Sequence, residues 1–308
     1  MENFRHFIAG WGAGIFGVLI GHPMDTIKTH QQMCNHKLST KDAVKLIIKR
    51  DGKLGLYKGM LFPLVCSGCL NSIYFGVYDI FLRHLQSLRG NSKVLPTNTG
   101  WLQDLFIAGI IGGTAQALIT CPSELIKIKM QVGKGIADND KGLCKSKVTR
   151  RNLSTFRVLV DIYRQNGIRG FFVGFVPTVW RDALGGGAYI LSYQCTRHYM
   201  HGELNPSPGL FETLVAGGLA GIVSWIPVTP FDTIKSRMQA DDFRNPTYKG
   251  MIDCSMILYR HASYHGFFKG FCMITVRSIP VNVSIIYGYE LILWLCKHFD
   301  KSANMKRA

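Results

Sequence analysis

Four stretches of the chain, 7–21, 59–78, 105–123 and 213–231, contain no charged residue. Each is near the roughly 20 residues that an α-helix needs to cross a bilayer. Glycines and prolines fall inside them, and these residues harm helices in water but are commoner in membrane helices. The pattern predicts an all-α membrane protein, where length alone would suggest roughly two soluble domains.

The polar segments between the apolar runs repeat. Residues 22–32 read HPMDTIKTHQQ, and the pattern returns as CPSELIKIKMQ at 121–131 and as TPFDTIKSRMQ at 229–239. Pro122 follows Pro23 by 99 residues, and Pro230 follows Pro122 by 108. An Ala-Gly pair stands 14 residues ahead of each proline: Ala9-Gly10, Ala108-Gly109 and Ala216-Gly217. Small residues follow each pair, a spacing that lets neighbouring membrane helices approach closely. Downstream, LYKG (56–59), FFVG (171–174) and FFKG (267–270) each open a further apolar run. These landmarks divide the chain into three tandem repeats, 1–99, 100–207 and 208–308.

Each unit reads as helix, short loop helix, helix. In the first, a helix over about 3–34 is expected to bend at Pro23, whose ring removes a backbone donor and clashes with the preceding turn. Ser39 with Asp42 resembles a capping box for a short basic helix ending near Gly52. A second long helix is expected from Gly59 to about Gln86. The second and third units occupy 100–201 and 208–299, with 133–153 as a loop. Six transmembrane helices result, with both termini on one side.

Composition agrees. The chain is 47% hydrophobic and 18% charged, with a mean hydropathy of +0.11 and a net charge of +17. The Lys and Arg residues cluster between the apolar runs, as in KLSTKDAVKLIIKRDGKLGLYK, the arrangement of basic membrane-flanking loops that favour anionic head groups. No zinc finger, stacking platform or basic helical stripe accompanies them, so nucleic-acid binding is not expected. Cys66 and Cys69 form a C-x-x-C inside an apolar run and read as small helix residues. No second Cys or His pair completes a metal site. No cofactor is expected, and no nucleophile–base–orienter set points to an enzyme. The N-terminus, MENFRHF, begins acidic and leads straight into the repeated motif, so no removable leader is expected.

The motif P-x-[DE]-x-x-[KR]-x-[KR] occurs three times at hundred-residue spacing, each copy followed by an aromatic-basic-glycine signature, and in this the chain resembles the mitochondrial carrier family over essentially its whole length. It departs from the pattern at His30, in place of the last base, at Val173, in place of a basic residue, and at Asn166 and Ala262-Ser263, in place of the acidic-glycine pair. The resemblance implies six inner-membrane helices with pseudo-threefold symmetry, short matrix helices, and termini facing the intermembrane space. It also implies a monomer that binds anionic lipid (cardiolipin). Charges within a membrane span mark function. By the family pattern Asp25 pairs with Lys127, Glu124 with Lys235, and Asp232 with Lys28, closing a matrix gate that Gln32, Gln131 and Gln239 brace. A thinner cytoplasmic gate is implied by Asp79, Arg197 and Glu290, with Asp79–Arg197 as its one complete pair.

Seven and eight residues past Gly59, Gly174 and Gly270 stand Cys66-Ser67, Arg181-Asp182 and Arg277-Ser278. In the family these positions contact substrate in a central cavity. Adjacent helical residues point about 100° apart, so Arg181 and Asp182 are not expected to pair with each other. A guanidinium grips a carboxylate bidentately, and a carboxylate holds an ammonium; together they match a zwitterion. Tyr74 and Tyr189 offer faces to a methylated ammonium. The Arg-Asp pair and GHPMDTIK are similar to the amino-acid and carnitine/acylcarnitine branches. The expected cargo is a small zwitterionic or cationic metabolite: an amino acid, a methylated basic amino acid, carnitine or choline. The alternatives are a nucleotide or cofactor carrier, and a carrier fold serving as a proton leak or scaffold.

Overall fold

A computed structural model describes residues 2–34, 38–88, 99–132, 155–201, 210–243 and 246–305. Among these residues the regular structure is entirely helical. Long helices α1 (Glu2–Met33) and α3 (Leu61–Leu88) flank the short α2 (Thr40–Asp51). The same order recurs as α4 (Thr99–Val132), α5 (Thr155–Asn166) and α6 (Phe175–His201), then as α7 (Leu210–Ala240), α8 (Met251–Ala262) and α9 (Phe271–Met305). A 3-10 turn follows each short helix: Lys53–Tyr57, Ile168–Phe172 and Tyr264–Gly266. Two described segments, Lys53–Leu88 and Gly100–Val132, are long and apolar enough to cross a membrane.

As expected for the first long helix, α1 runs on through Pro23, and α4 and α7 likewise contain Pro122 and Pro227 with Pro230. The surrounding helices supply the packing that a lone helix with an interior proline lacks. Two local expectations change. Ser39 does cap α2, but its side chain makes no capping bond; Asp42 is one methylene shorter than the Glu or Gln that closes a capping box. α3 starts at Leu61, because Gly59 (φ +82°) turns the chain just before it. The 133–153 loop lies outside the described residues.

The short helices are seated by one apolar pair each, four residues apart on one face: Ala43 and Ile47, Val158 and Ile162, Cys254 and Leu258, all buried. The first pair packs on Ile27 and Met273, the second on Leu125, Ile126 and Met130. Fully burying one of the larger of these side chains, Ile47, Val158, Ile162 or Leu258, contributes about 1.5–3 kcal/mol. These anchors fix the ends of α1, α4 and α7, where the repeated charges lie.

In the second repeat the two long helices touch backbone to backbone. A Cβ on Gly113 of α4 would stand 2.1 Å from the carbonyl oxygen of Asp182 on α6. Glycine alone fits there, and the contact fixes the height of the Arg181-Asp182 pair against α4.

Candidate functional site

The charged motifs on α1, α4 and α7 meet. Lys127 Nζ lies 2.7 Å from Asp25 Oδ2 and Lys28 Nζ lies 2.6 Å from Asp232 Oδ2, while Lys235 contacts Glu124. These are the three pairings that the family resemblance implied, and they link α1 to α4, α1 to α7 and α4 to α7. Burial is deep: the Lys235 side chain is 1% exposed and that of Asp232 4%. Desolvating each such ion costs several kcal/mol, so the arrangement is stable only while every charge has partners.

The glycines that follow the 3-10 turns make this closeness possible. A Cβ on Gly59 would meet the Lys127 carbonyl oxygen at 3.1 Å, one on Gly174 the Gln239 side chain at 3.1 Å, and one on Gly270 the Lys28 side chain at 3.1 Å. Gly59, Gly174 and Gly270 therefore sit against the charged segments of α4, α7 and α1.

The glutamines divide. Gln32 Nε2 donates to Asp232 Oδ2 at 2.8 Å, bracing the Lys28 pair. Gln131 donates instead to the Thr26 hydroxyl at 3.0 Å, and Gln239 to the carbonyls of Val173 and Cys121 at 3.3 and 3.4 Å. Those two tie neighbouring segments together through a hydroxyl and backbone carbonyls. His30 likewise differs from its counterparts. Arg237 donates to the carbonyls of Gln32 and Cys34, and Lys129 to that of Asp241. His30 Nδ1 turns back to Thr26 O on its own helix, at 2.9 Å.

A second tier of charge lies above the ring. Arg181 Nη1 is 2.7 Å from Glu124 Oε2 and 3.4 Å from Asp232 Oδ1, and its Nη2 is 2.6 Å from Asp182 Oδ1. The adjacent Arg181 and Asp182 thus do pair, against the expectation from helix geometry. The long arginine side chain spans the angular gap that separates their Cβ atoms. Arg277 Nε lies 2.8 Å from Asp25 Oδ1.

A cavity of about 700 Å³ opens over these groups, within the range of small-molecule sites. Of the expected contact residues, Arg181, Asp182, Arg277, Tyr74 and Tyr189 line it. Cys66, Ser67 and Ser278 do not. Ser67 and Ser278 each donate to a carbonyl of their own helix, Leu64 O at 3.0 Å and Ile274 O at 3.1 Å. The Tyr74 hydroxyl donates to Gly186 O at 3.1 Å, so this ring is fixed in place. The lining also includes Asn71, Gln116, Ser224 and Trp225, which sequence reasoning passed over. Lys28 Nζ stands 4.8 Å from the Trp225 ring centroid, a cation–π contact. An aromatic seven residues before the motif's acid, Trp225 before Asp232, was the available signal.

Towards the far end of α3, Asp79 pairs with Arg83, four residues on along the same helix, at 2.7 Å. Neighbouring turns of one helix bring this pair together, so Asp79 is engaged within α3. The side chains of Arg197 and Glu290 lie outside the described residues.

The family model described as mitochondrial carrier protein matches residues 1–89, 99–204 and 207–298. Solute carrier family 25 member 45 of Mus musculus is 36% identical over 295 residues, covering 94% of this chain and 98% of the relative. Solute carrier family 25 member 48 of the same species is 32% identical over 293 residues, covering 94% and 95%. The mitochondrial basic amino acids transporter of Rattus norvegicus is 33% identical over 293 residues, covering 93% and 88%.

Proposed function

Because the chain belongs to the mitochondrial carrier protein family, we propose that it moves a small zwitterionic or cationic metabolite across the inner membrane by alternating access. The observation that carries this reading is the charge balance of the cavity. Asp25, Glu124, Asp182 and Asp232 line it against Lys28, Lys127, Arg181 and Arg277. Four acids against four bases suit a ligand that brings both signs, or one cation, with aromatic faces for its ammonium. A nucleotide's phosphates would call for an excess of bases. The likeness to a relative named as a basic amino acids transporter points the same way.

In this reading the six long helices span the membrane in three pseudo-symmetric repeats, with both termini towards the intermembrane space. The ring of Asp25, Lys28, Glu124, Lys127, Asp232 and Lys235 is the matrix gate, and the cavity faces the opposite side. Binding helps separate the ring, because a ligand that carries charge replaces contacts made between helices. No step of covalent chemistry is involved. The short helices offer basic N-terminal flanks to cardiolipin, and delipidated protein should regain thermal stability when this lipid is returned.

The test is uptake into liposomes holding the purified protein as a monomer. Labelled arginine, a trimethylated lysine, carnitine and choline are supplied outside, with unlabelled compound inside. Saturable uptake of at least one, accelerated by internal substrate, is expected. Uptake of nucleotides alone, or proton conductance with no uptake, would replace the reading by one of its alternatives.

A further inference from the structure

The last turns of α1, α4 and α7 are each closed by a cation from another helix. A helix C-terminus leaves backbone carbonyls without intrahelical partners, and a cationic side chain there both satisfies them and complements the helix dipole. Arg237 of α7 donates to the carbonyls of Gln32 and Cys34 at the end of α1, and Lys129 of α4 to that of Asp241 just past α7. By the same cyclic order, residue 30 of α1 would close the end of α4. His30 does not reach it. Its Nδ1 turns back to Thr26 O, and its Nε2 is buried without a hydrogen-bond partner among the described residues.

Arg50 of α2 closes the end of α4 instead. Its guanidinium donates to the carbonyls of Gln131 and Val132, the latter at 3.1 Å. Asp51 holds Arg50 Nε at 2.7 Å, and pairs at 3.1 Å with Lys58 of the LYKG turn, so the guanidinium is aimed from behind. The equivalents of Arg50, one residue before the ends of α5 and α8, are Gln165 and His261; those of Asp51 are Asn166 and Ala262. The first repeat thus lacks the motif's last base, and it alone keeps the acid that steadies an arginine in that base's stead.

We propose that Arg50 is a relocated clasp, a positioning residue that holds the end of α4 in the closed ring in place of the base missing at position 30; this rests on the reading of that ring as the matrix gate. The relocation changes what moves together. Lys129 and Arg237 tie one ring helix to the next, whereas Arg50 ties α4 to α2. Between α1 and α4 the described residues offer the Asp25–Lys127 pair and the Gln131–Thr26 hydrogen bond. α1 therefore parts from α4 without breaking a clasp, while α2 follows α4 until Arg50 lets go.

Arg50→Ala, His30→Arg and the double variant test it, read by melting in detergent and by efflux of labelled carnitine from loaded liposomes with no substrate outside. Arg50→Ala should lower the melting temperature by about 3–6 °C and speed the efflux several-fold, because the ring closes less firmly. His30→Arg alone sets two cations on one pair of carbonyls and should also lower the melting temperature. In the Arg50→Ala background the same substitution restores the clasp, so it should raise the melting temperature and slow the efflux. The change of sign is diagnostic, since a residue that merely packs α2 is not rescued from another helix. Arginine is bulkier than the buried histidine, so a second cycle moves a clasp the opposite way: Gln165→Arg/Asn166→Asp should recover the melting temperature lost in Lys129→His. Rescue in either cycle supports the relocation, and losses that add in both overturn it. Melting rescue with efflux unchanged in every variant would overturn the part Arg50 plays in the gate. If the wild-type protein does not exchange carnitine at all, the substrate reading loses its support, and the melting cycles still decide the clasp.

Discussion

Nη1 of Arg181, on α6, lies 2.7 Å from Oε2 of Glu124, on α4. The same guanidinium holds Asp182 and approaches Asp232, so one arginine compensates three carboxylates. Arg181→Ala leaves that cluster short of positive charge. Breaking a buried pair by removing one partner typically costs about 3–5 kcal/mol. Arg181→Lys should recover little of this, since a point charge does not reproduce the planar fork. Thermal unfolding in detergent measures it, and a melting curve unchanged by Arg181→Ala would contradict the cluster's structural weight.

The ring pair Asp25–Lys127 is open to charge exchange. Asp25→Lys should abolish transport, and Asp25→Lys with Lys127→Asp should restore part of it. Recovery stops short of full because Arg277 remains beside residue 25, now facing a like charge. Adding Arg277→Ala to the swapped pair should improve gate closure, read as less leak from loaded vesicles. A swapped variant no better than the worse single one would mean the two residues are not partners in the working protein.

Much of this architecture was written in the chain's small residues and prolines. Pro23, Pro122 and Pro230 mark where the charges sit, and Gly59, Gly174 and Gly270 where the loops cross them, because backbone geometry restricts those positions to few residue types. The partners of the long side chains were not legible. Helical phase places the Cβ atoms of Arg181 and Asp182 apart, yet three methylenes let the guanidinium return to its neighbour. Nor does phase within one helix show which residues face a cavity shared by six. Asn71, Gln116 and Trp225 line it only through the way α3, α4 and α7 pack. Ser67 and Ser278 follow the repeat count but spend their hydroxyls on their own helices.

Ser263 interrupts a repeated glycine. Gly52 and Gly167 close α2 and α5 with φ of 77° and 60°, and Ser263 closes α8 with φ 51° and ψ −157°. A side chain in this region costs of order 1–3 kcal/mol. Ser263→Gly should therefore stabilise the protein, by about 1 kcal/mol after the added freedom of the unfolded chain is deducted. Gly52→Ser should do the reverse. Paired melting curves check both, and a destabilised Ser263→Gly would show that the serine hydroxyl outweighs the backbone strain.

Asp51 gives the stability of the α2 end of the molecule an acid limit. Burial pushes its carboxyl up, but Arg50 and Lys58, with contacts of 2.7 and 3.1 Å, outweigh that and hold it below the usual carboxylate range. A depressed folded pKa adds stability that is present above the unfolded value, about 3.9, and is lost as pH falls through the folded value. Arg50 also donates to the Gln131 and Val132 carbonyls at the end of α4. Asp51→Asn should thus lower the melting temperature at pH 7, with the difference from wild type shrinking below about pH 4. A difference that stays constant down to pH 3 would assign the effect to packing.

Asp182 is where the cationic end of the substrate is expected to be read. It lies at the cavity wall, held against α4 by the Gly113 contact, with one oxygen engaged by Arg181 at 2.6 Å. When a substrate carboxylate draws on the arginines, Asp182 loses part of its compensation, and an ammonium supplied by the same molecule restores it. The two ends of a zwitterion therefore bind with mutual support, which neither a lone cation nor a lone anion receives. Asp182→Asn keeps the shape and removes the charge. It should weaken uptake of arginine and carnitine by about 2–5 kcal/mol, the cost of truncating one partner of a buried charge pair. Trp225→Leu should add a smaller loss, about 0.5–2 kcal/mol, greatest for compounds with a methylated ammonium, because it removes an aromatic face from the cavity together with the ring's contact to Lys28. Initial uptake rates over a concentration series separate the two variants. Equal losses for every compound in both would mean that these residues hold α6 and α7 in place, and that the cation is recognised elsewhere in the cavity.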